Sequence, residues 1–285
     1  MKWTTLVDPT VLVLHLHDPD LRIVDARFVL TDAGAGRAGY LLSHLPHAVY
    51  ADLNEDLADL SKVAQGQGRH PLPEAADFTG RLGQWGIAPQ HQVVVYDGGD
   101  GSMAAARLWW MLRLLGHGNV AVIDGGLAAW HAAGLPETDE IPVPQPQPAY
   151  PGSYDISRMV GDAEVAARLD EAPGWLIDAR AEERYSGRHE HVDRVAGHVP
   201  GAVNRPYLDN VSEGRLHEPD ALRAELQPLL GTHAPDDVVL MCGSGVTACH
   251  LLLAFEHAGL PGPRIYTGSW SGWISDPARP VAATS

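Results

Sequence analysis

The sequence contains few cysteines and few positive charges. Only two of its 285 residues are cysteines, Cys242 and Cys249, which excludes a disulfide-rich scaffold and a cysteine-rich zinc site. If both lie on one helix, they are ~10 Å apart along its axis, too far for a disulfide. Lys and Arg total 20 against 36 for Asp and Glu, a formal net charge of -16. This balance argues against nucleic acid or an anionic membrane surface as a partner.

Long hydrophobic runs are also missing. No stretch approaches the ~18 uninterrupted apolar residues that a membrane-spanning helix needs. The N-terminal segment reaches Asp8 before an apolar signal sequence can develop, so we expect a cytoplasmic protein. The composition, 45% hydrophobic and 20% charged, is typical of folded globular proteins, and at ~150 residues per domain the length predicts roughly two domains.

The chain repeats itself. Four landmarks recur in the same order, 143 to 154 positions apart: Asp25 and Asp178, His44 and His198, Asp97 and Cys242, Trp130 and Trp273. Between the copies, six of the sixteen residues from 136 to 151 are proline, which is typical of an extended linker. We therefore predict an N-terminal domain over 1–135, a proline-rich linker over 136–152, and a C-terminal domain over 153–285.

Both copies have the pattern of an α/β fold. Short β-branched runs alternate with helical patterns, which predicts a parallel sheet flanked by helices in each domain. The continuous apolar runs at 93–96 and 238–241 are typical of central strands buried on both faces. Each run precedes a glycine-rich turn and a predicted helix, over 103–115 and 246–258. Such a turn directs backbone N–H groups and the helix dipole towards one point above the sheet.

The residue at that point differs between the copies. Cys242 occupies it in the second copy, where loop amides and a helix N-terminus would stabilise a thiolate. Asp97 occupies it in the first copy, and a carboxylate cannot carry a transferred sulfur atom. A buried cysteine without a function is the alternative for Cys242, but the Gly-Ser-Gly that follows favours a nucleophile. Cys249 lies within the apolar helical pattern and is expected to be core.

Several segments resemble one family. The residues Cys242-Gly243-Ser244-Gly245-Val246-Thr247 resemble the active-site loop of the 3-mercaptopyruvate sulfurtransferases, members of the tandem-domain rhodanese family. The resemblance covers essentially the whole chain. It departs at His44-Leu45-Pro46-His47, where the family usually has a glycine, and at Ser271-Gly272-Trp273, where it usually has a glutamate. Three further segments resemble family signatures: Arg184-Tyr185-Ser186-Gly187, Gly197-His198-Val199-Pro200-Gly201-Ala202 and Tyr266-Thr267-Gly268-Ser269-Trp270-Ser271.

This resemblance implies two rhodanese-like domains, the first degenerate, and a ping-pong sulfur transfer. Cys242 would take a sulfur atom from a small anionic donor, 3-mercaptopyruvate, hold it as a persulfide, and pass it to a thiol, cyanide or thioredoxin. Ser244 would be a second catalytic residue that orients or protonates the leaving enolate, although such a serine can instead bond its own loop. Thiosulfate as the donor, and a non-catalytic binding module, are the alternatives. The remaining loop residues expected to contact substrate are Gly243, Gly245, Val246 and Thr247.

An anionic donor in an acidic protein requires local cations. The resemblance matches Arg184 to a substrate-binding arginine and, less directly, Arg194 to a second one; Arg188 is a further candidate. An arginine fork binds a carboxylate through two parallel hydrogen bonds, although each could instead be a solvated surface residue. His44 resembles a histidine that some members place near the active cleft. Its recurrence as His198 favours a shared structural role.

Three other patterns are weaker. Residues 34–39 fit a dinucleotide-binding motif by spacing but do not directly follow a strand. His189, Glu190, His191 and His198 lack the spacing of a helical metal site. A phosphatase loop would need an arginine at position 248, which is Ala248. We therefore expect neither a cofactor nor a metal.

Overall fold

The computed structural model describes residues 2–99 and 103–284. The chain forms two compact units. The first comprises Met1–Asp59, Leu72–Asp155 and Glu213–Leu216, and the second comprises Leu60–Pro71, Ile156–Ser212 and His217–Ser285. Leu60–Pro71, from the first half of the sequence, groups with the second unit, and Glu213–Leu216, from the second half, groups with the first. Tertiary contacts rather than local pattern determine this exchange.

Strands and helices alternate along the chain. The strands are β1 (Leu6–Val7), β2 (Leu21–Asp25), β3 (Val49–Tyr50), β4 (Gln92–Tyr96), β5 (Val120–Ile123), β6 (Met159–Val160), β7 (Leu176–Asp178), β8 (Val203–Asn204), β9 (Val211–Ser212), β10 (Arg215–Leu216), β11 (Val239–Met241) and β12 (Arg264–Tyr266). The helices are α1 (Pro9–Leu12), α2 (Ala35–Leu42), α3 (Ala75–Gln84), α4 (Ala104–Leu114), α5 (Gly126–Ala132), α6 (Asp162–Ala167), α7 (Glu182–Ser186), α8 (Pro219–Leu226), α9 (Thr247–His257) and α10 (Ser269–Trp273).

Each unit contains a five-stranded parallel sheet with the same strand order. The first sheet runs β1-β5-β4-β2-β3 and the second β6-β12-β11-β7-β8. The central strands β4 and β11 are buried throughout, as continuous apolar runs require in a sheet covered on both faces. The predicted parallel α/β fold is confirmed, and so are the two helices that follow the central strands. Among the residues described, no helix is both long and apolar enough to cross a membrane.

The repeat extends to side-chain contacts. Asp25 forms an ion pair with Arg27 at 2.6 Å in the first unit, and Asp178 forms the equivalent pair with Arg180 at 2.7 Å in the second. The arginine of each pair also donates to a backbone carbonyl of the following segment. Several hydrogen-bond donors to each buried carboxylate offset the free-energy cost of burying its charge. The two pairs therefore fix the segment after β2 and after β7 in the same way.

Candidate active site

Cys242 lies directly after β11, in the middle of the second sheet, and its side chain is buried. The N–H of Gly245 donates to the Cys242 Sγ atom at 3.1 Å. The backbone of Cys242 is held on both sides, because its N–H donates to the Ser269 Oγ at 3.2 Å and its carbonyl accepts from the Trp270 N–H at 2.9 Å. A backbone donor aimed at sulfur stabilises negative charge on a thiolate or a persulfide.

The turn between Cys242 and α9 explains that contact. Gly245 has a φ of +78°, in the left-handed region that glycine adopts without steric cost. Val246 occupies the N-cap position of α9, which begins at Thr247. Val246 is buried and Thr247 is half-buried. The loop residues predicted to bind substrate thus form a rigid turn at a helix N-terminus, where an anion is favoured.

Ser244 has a partner that sequence reasoning missed. Its Oγ atom lies 2.8 Å from the Nδ1 atom of His70, and both side chains are buried. His70 belongs to the segment Leu60–Pro71, which groups with the second unit. The only signal in the sequence is an Arg-His pair between glycine and proline residues, Gly68-Arg69-His70-Pro71, which is typical of a loop. A histidine bonded to a serine hydroxyl is a recurrent acid–base pair.

Arg184 faces the Cys242 loop. Its Nη1 and Nη2 atoms are each 3.5 Å from the position that a Cβ on Gly243 would take. Two carboxylates hold its guanidinium: Nε donates to both oxygens of Glu190, at 3.0 and 3.1 Å, and Nη2 donates to Asp193 Oδ2 at 2.8 Å. The fork is therefore oriented before any donor binds, which lowers the entropic cost of binding.

Arg188 and Arg194 have other contacts. Arg188 pairs with Glu182, and both side chains are more than half exposed. Arg194 donates from Nη2 to the carbonyl of Ile274. Of the three predicted arginines, Arg184 is the one whose guanidinium lies nearest to the Cβ position of Gly243. A fourth arginine, Arg69, was not predicted, and its Nη2 is 3.1 Å from the same Cβ position on Gly243.

His44 has the contacts of a structural residue. Its Nδ1 and Nε2 atoms lie 2.7 and 3.2 Å from the carbonyl oxygens of Tyr40 and Glu140, and its ring stacks on Tyr40 at 4.1 Å. His198 repeats the arrangement in the second unit, with its Nδ1 atom 2.8 Å from the Tyr185 carbonyl and its ring stacked on Tyr185 at 3.9 Å. All these contacts of His44 lie within the first unit.

The remaining cysteine and the degenerate loop also have local partners. Cys249 is buried in α9, and its thiol donates to the Gly245 carbonyl at 3.2 Å. In the first unit, the Asp97 carboxylate accepts from the N–H groups of Gly99 and Met103, each at 3.2 Å. In this loop, the backbone N–H groups that could stabilise a thiolate donate instead to the Asp97 carboxylate.

Glu190 illustrates the electrostatics around Arg184. Burial alone would raise the pKa of this carboxyl, but hydrogen bonds from Arg184 and from the N–H groups of Asp193 and Val192 outweigh burial, so its pKa is lowered. Glu190 is therefore a carboxylate at neutral pH and a permanent anchor for the arginine. This role replaces the metal-ligand interpretation considered for it from sequence.

Comparison with known proteins gives consistent results. The sequence model of the rhodanese-like domain family matches residues 8–133 and 162–276. A Pseudomonas aeruginosa protein named "Probable 3-mercaptopyruvate sulfurtransferase" is 44% identical over 285 residues, covering 99% of each chain. The mouse (Mus musculus) thiosulfate sulfurtransferase is 35% identical over 261 residues, covering 90% of this chain and 86% of its own. The solved structure of a 3-mercaptopyruvate sulfurtransferase from Leishmania major superposes with a TM-score of 0.82 at 33% identity, covering 94% of this chain and 73% of that one.

Proposed function

Because the chain belongs to the rhodanese family, we propose that it is a sulfurtransferase in which Cys242 carries sulfur from 3-mercaptopyruvate to a thiophilic acceptor. The observation that supports this most directly is the Gly245 N–H donating to the Cys242 Sγ atom at 3.1 Å beside the Arg184 guanidinium. Cys242 carries negative charge twice per turnover, once as a thiolate and once as a persulfide. The backbone N–H and the guanidinium would both stabilise that charge.

In the first half-reaction the Cys242 thiolate attacks the sulfur atom of the donor. A sulfur–sulfur bond forms as the carbon–sulfur bond of mercaptopyruvate breaks, and the electron pair moves onto the organic fragment as the enolate of pyruvate. The proton released from the donor thiol ends on the enolate carbon, so that pyruvate leaves. Ser244 and His70 are placed to hold or deliver that proton, since their side chains are in hydrogen-bond contact.

In the second half-reaction an acceptor removes the outer sulfur. A thiolate or cyanide attacks the persulfide, the sulfur–sulfur bond breaks, and the electron pair returns to Cys242 as thiolate. The loop that stabilised the persulfide also stabilises this leaving group. We include thioredoxin among the acceptors and place the reaction in the cytoplasm; two free cysteines are in keeping with a reducing compartment. The chain itself supplies every group that these steps use, so no cofactor or metal is invoked.

Thiosulfate is the second candidate donor, favoured by one observation. The guanidinium groups of Arg69 and Arg184 both approach Gly243, and a compact dianion such as thiosulfate, or departing sulfite, benefits from two cations. The hydroxyl of Ser244 beside His70 favours mercaptopyruvate, whose enolate needs a proton that sulfite does not.

Product analysis tests the proposal. With mercaptopyruvate and cyanide, we expect pyruvate and thiocyanate to be released in equal amounts, and the Cys242→Ser variant to release neither. Pyruvate without transferred sulfur, or no product from either donor, would contradict the sulfurtransferase assignment and leave a binding module as the explanation.

A further inference from the structure

Ser271 in α10 connects the two segments that carry the Ser244–His70 pair. We propose that Ser271 is a positioning residue, which aligns the His70 imidazole with the Ser244 hydroxyl and does not itself contact the reacting atoms. The inference rests on the proposed sulfurtransferase function, because it explains how the proton-handling pair of that reaction is held together.

Ser271 bonds the residue that precedes each member of the pair. Its Oγ accepts from the backbone N–H of Arg69 at 2.9 Å, and Arg69 directly precedes His70. Its own N–H donates to the Gly243 carbonyl at 2.9 Å, and Gly243 directly precedes Ser244. The His70 Nδ1 and the Ser244 Oγ lie 2.8 Å apart. One half-buried serine thus holds both backbones one residue away from the pair.

The chain on the other side of His70 is restrained as well. Pro71 follows it, and a residue before proline is largely restricted to extended backbone conformations. Because consecutive Cα atoms are only ~3.8 Å apart, the bond between Arg69 and Ser271 acts close to the imidazole. Losing this bond would loosen the backbone on the N-terminal side of His70, while the proline still restrains the other side.

Close backbone packing brings the Ser271 hydroxyl to the Arg69 N–H. Gly68 has a φ of +93°, and a Cβ there would lie 2.6 Å from the Gly268 carbonyl oxygen and 3.2 Å from the Ser271 Oγ. A side chain at this position would push the segment away from α10. Gly272, where the family resemblance leads us to expect glutamate, also approaches the segment closely, since a Cβ there would lie 3.4 Å from the Gly68 nitrogen. At this spacing the short serine side chain reaches Arg69.

The backbone of α10 holds the nucleophile's loop independently of this hydroxyl. The N–H groups of Trp270 and Ser271 donate to the carbonyls of Cys242 and Gly243, each at 2.9 Å. Neither bond uses the Ser271 side chain. Removing the hydroxyl should therefore leave the backbone of Cys242 in place and act on the His70 side of the pair.

A comparison of two donors tests the inference. Mercaptopyruvate requires the proton that the pair handles, whereas thiosulfate releases sulfite without it. The measured quantity is the rate of persulfide formation on Cys242 in a single turnover. We expect Ser271→Ala to lower this rate at least ~10-fold more with mercaptopyruvate than with thiosulfate, a part of the ~10²–10⁴ that a positioned acid or base contributes.

Three further variants serve as controls. Ser271→Thr keeps a hydroxyl acceptor and should keep most of the wild-type donor ratio, whereas Ser271→Val has a similar shape without the hydroxyl and should not. Ser275→Ala removes a different hydroxyl, which donates to the Gly66 carbonyl of the same segment at 3.2 Å. This bond is farther along the chain from His70, so Ser275→Ala should leave the donor ratio unchanged.

Chemical labelling of His70 gives a second measurement that needs no sulfur donor. Diethyl pyrocarbonate acylates accessible, uncharged imidazole nitrogens, and its rate is followed on the His70 peptide by mass spectrometry. The wild type should react slowly, because His70 is only 5% exposed. We expect Ser271→Ala to raise the rate several-fold through local opening of the segment, and Ser275→Ala to leave it unchanged.

The outcomes separate positioning from general support. Equal losses with both donors in Ser271→Ala would show that the serine supports the nucleophile's loop and would overturn the inference, as would unchanged labelling of His70. If Ser271→Ala does not fold, Ser271→Thr and Ser271→Val decide, and equal donor ratios in these two variants would overturn it. A wild-type protein that transfers no sulfur, with faster His70 labelling in Ser271→Ala, would contradict the proposed function and leave Ser271 as the residue that positions His70.

Discussion

The Nδ1 atom of His70 lies 2.8 Å from the Oγ atom of Ser244, although the two residues are 174 positions apart. The contact joins a residue of the Cys242 loop to the segment Leu60–Pro71. It pairs the loop serine with a histidine, and Arg69, the residue before that histidine, also lies at the loop.

The Ser244–His70 pair should act as a unit. We expect Ser244→Ala and His70→Ala each to lower kcat with mercaptopyruvate by ~10²–10⁴, the usual contribution of a positioned acid or base. The double variant should lose little more than either single one, because residues that act together are non-additive. Steady-state rates on the four proteins measure this, with His189→Ala as a surface control. Strictly multiplicative losses would mean that the two side chains act separately.

The two cysteines should behave differently. Cys242→Ser should abolish sulfur transfer with the fold intact, since a serine hydroxyl is not ionised at neutral pH and forms no persulfide. Cys249→Ser should keep most activity, because its thiol donates to the Gly245 carbonyl and a serine hydroxyl can make the same hydrogen bond. Turnover assays and circular dichroism check both variants. Substantial turnover by Cys242→Ser would contradict the persulfide mechanism.

Arg184 should contribute strongly to donor use. We expect Arg184→Ala to reduce kcat/KM for mercaptopyruvate by an amount equivalent to ~2–5 kcal/mol, the scale for losing one partner of a desolvated charge pair. Arg188→Ala should stay near the wild type, since its ion pair with Glu182 is exposed. An unchanged kcat/KM for folded Arg184→Ala would remove this arginine from the site.

Donor preference should follow the proton requirement. We expect kcat/KM for mercaptopyruvate to exceed that for thiosulfate at least ~10-fold, about 1.4 kcal/mol of differential transition-state binding. In Ser244→Ala the ratio should fall, because sulfite departs without needing the proton. A wild-type preference for thiosulfate would show that the paired guanidinium groups outweigh the serine.

Glu190 should contribute to acid sensitivity. Its pKa is lowered in the folded state, so its stabilising contribution is present above the pKa of the unfolded chain and is lost as pH falls towards the folded value. As the pH falls through and below about 4.3, the usual pKa of a glutamate, the wild type should therefore lose stability more steeply than Glu190→Gln. Thermal melting across this range compares the two proteins. Parallel pH profiles would show that the carboxylate has no net effect on folding.

Much of the architecture was predictable from local pattern. Continuous apolar runs identified the central strands, and the repeat identified two similar sheets. The position of Cys242 followed from its place between a buried strand and a glycine turn. Periodicity and motif spacing depend on residues that are close together in the sequence. They could therefore predict the central strands, the repeat and the position of Cys242.

The site's other members depend on long-range packing. Arg69 and His70 lie in a loop of the first half, and nothing in their own segment indicates that it groups with the second unit. The hydrogen bond from Arg194 to the Ile274 carbonyl likewise joins residues whose proximity no short motif encodes. The sequence therefore predicted Cys242 and Arg184 as candidate site residues, while the placement of His70 and Arg69 beside the loop required the fold.

Mass spectrometry of the Cys242 peptide after incubation with mercaptopyruvate, and separately with thiosulfate, tests the central claim most directly. The account predicts a gain of one sulfur atom on Cys242, none on Cys249, and its removal on adding cyanide or a thiol. No added sulfur on Cys242 with either donor would contradict it.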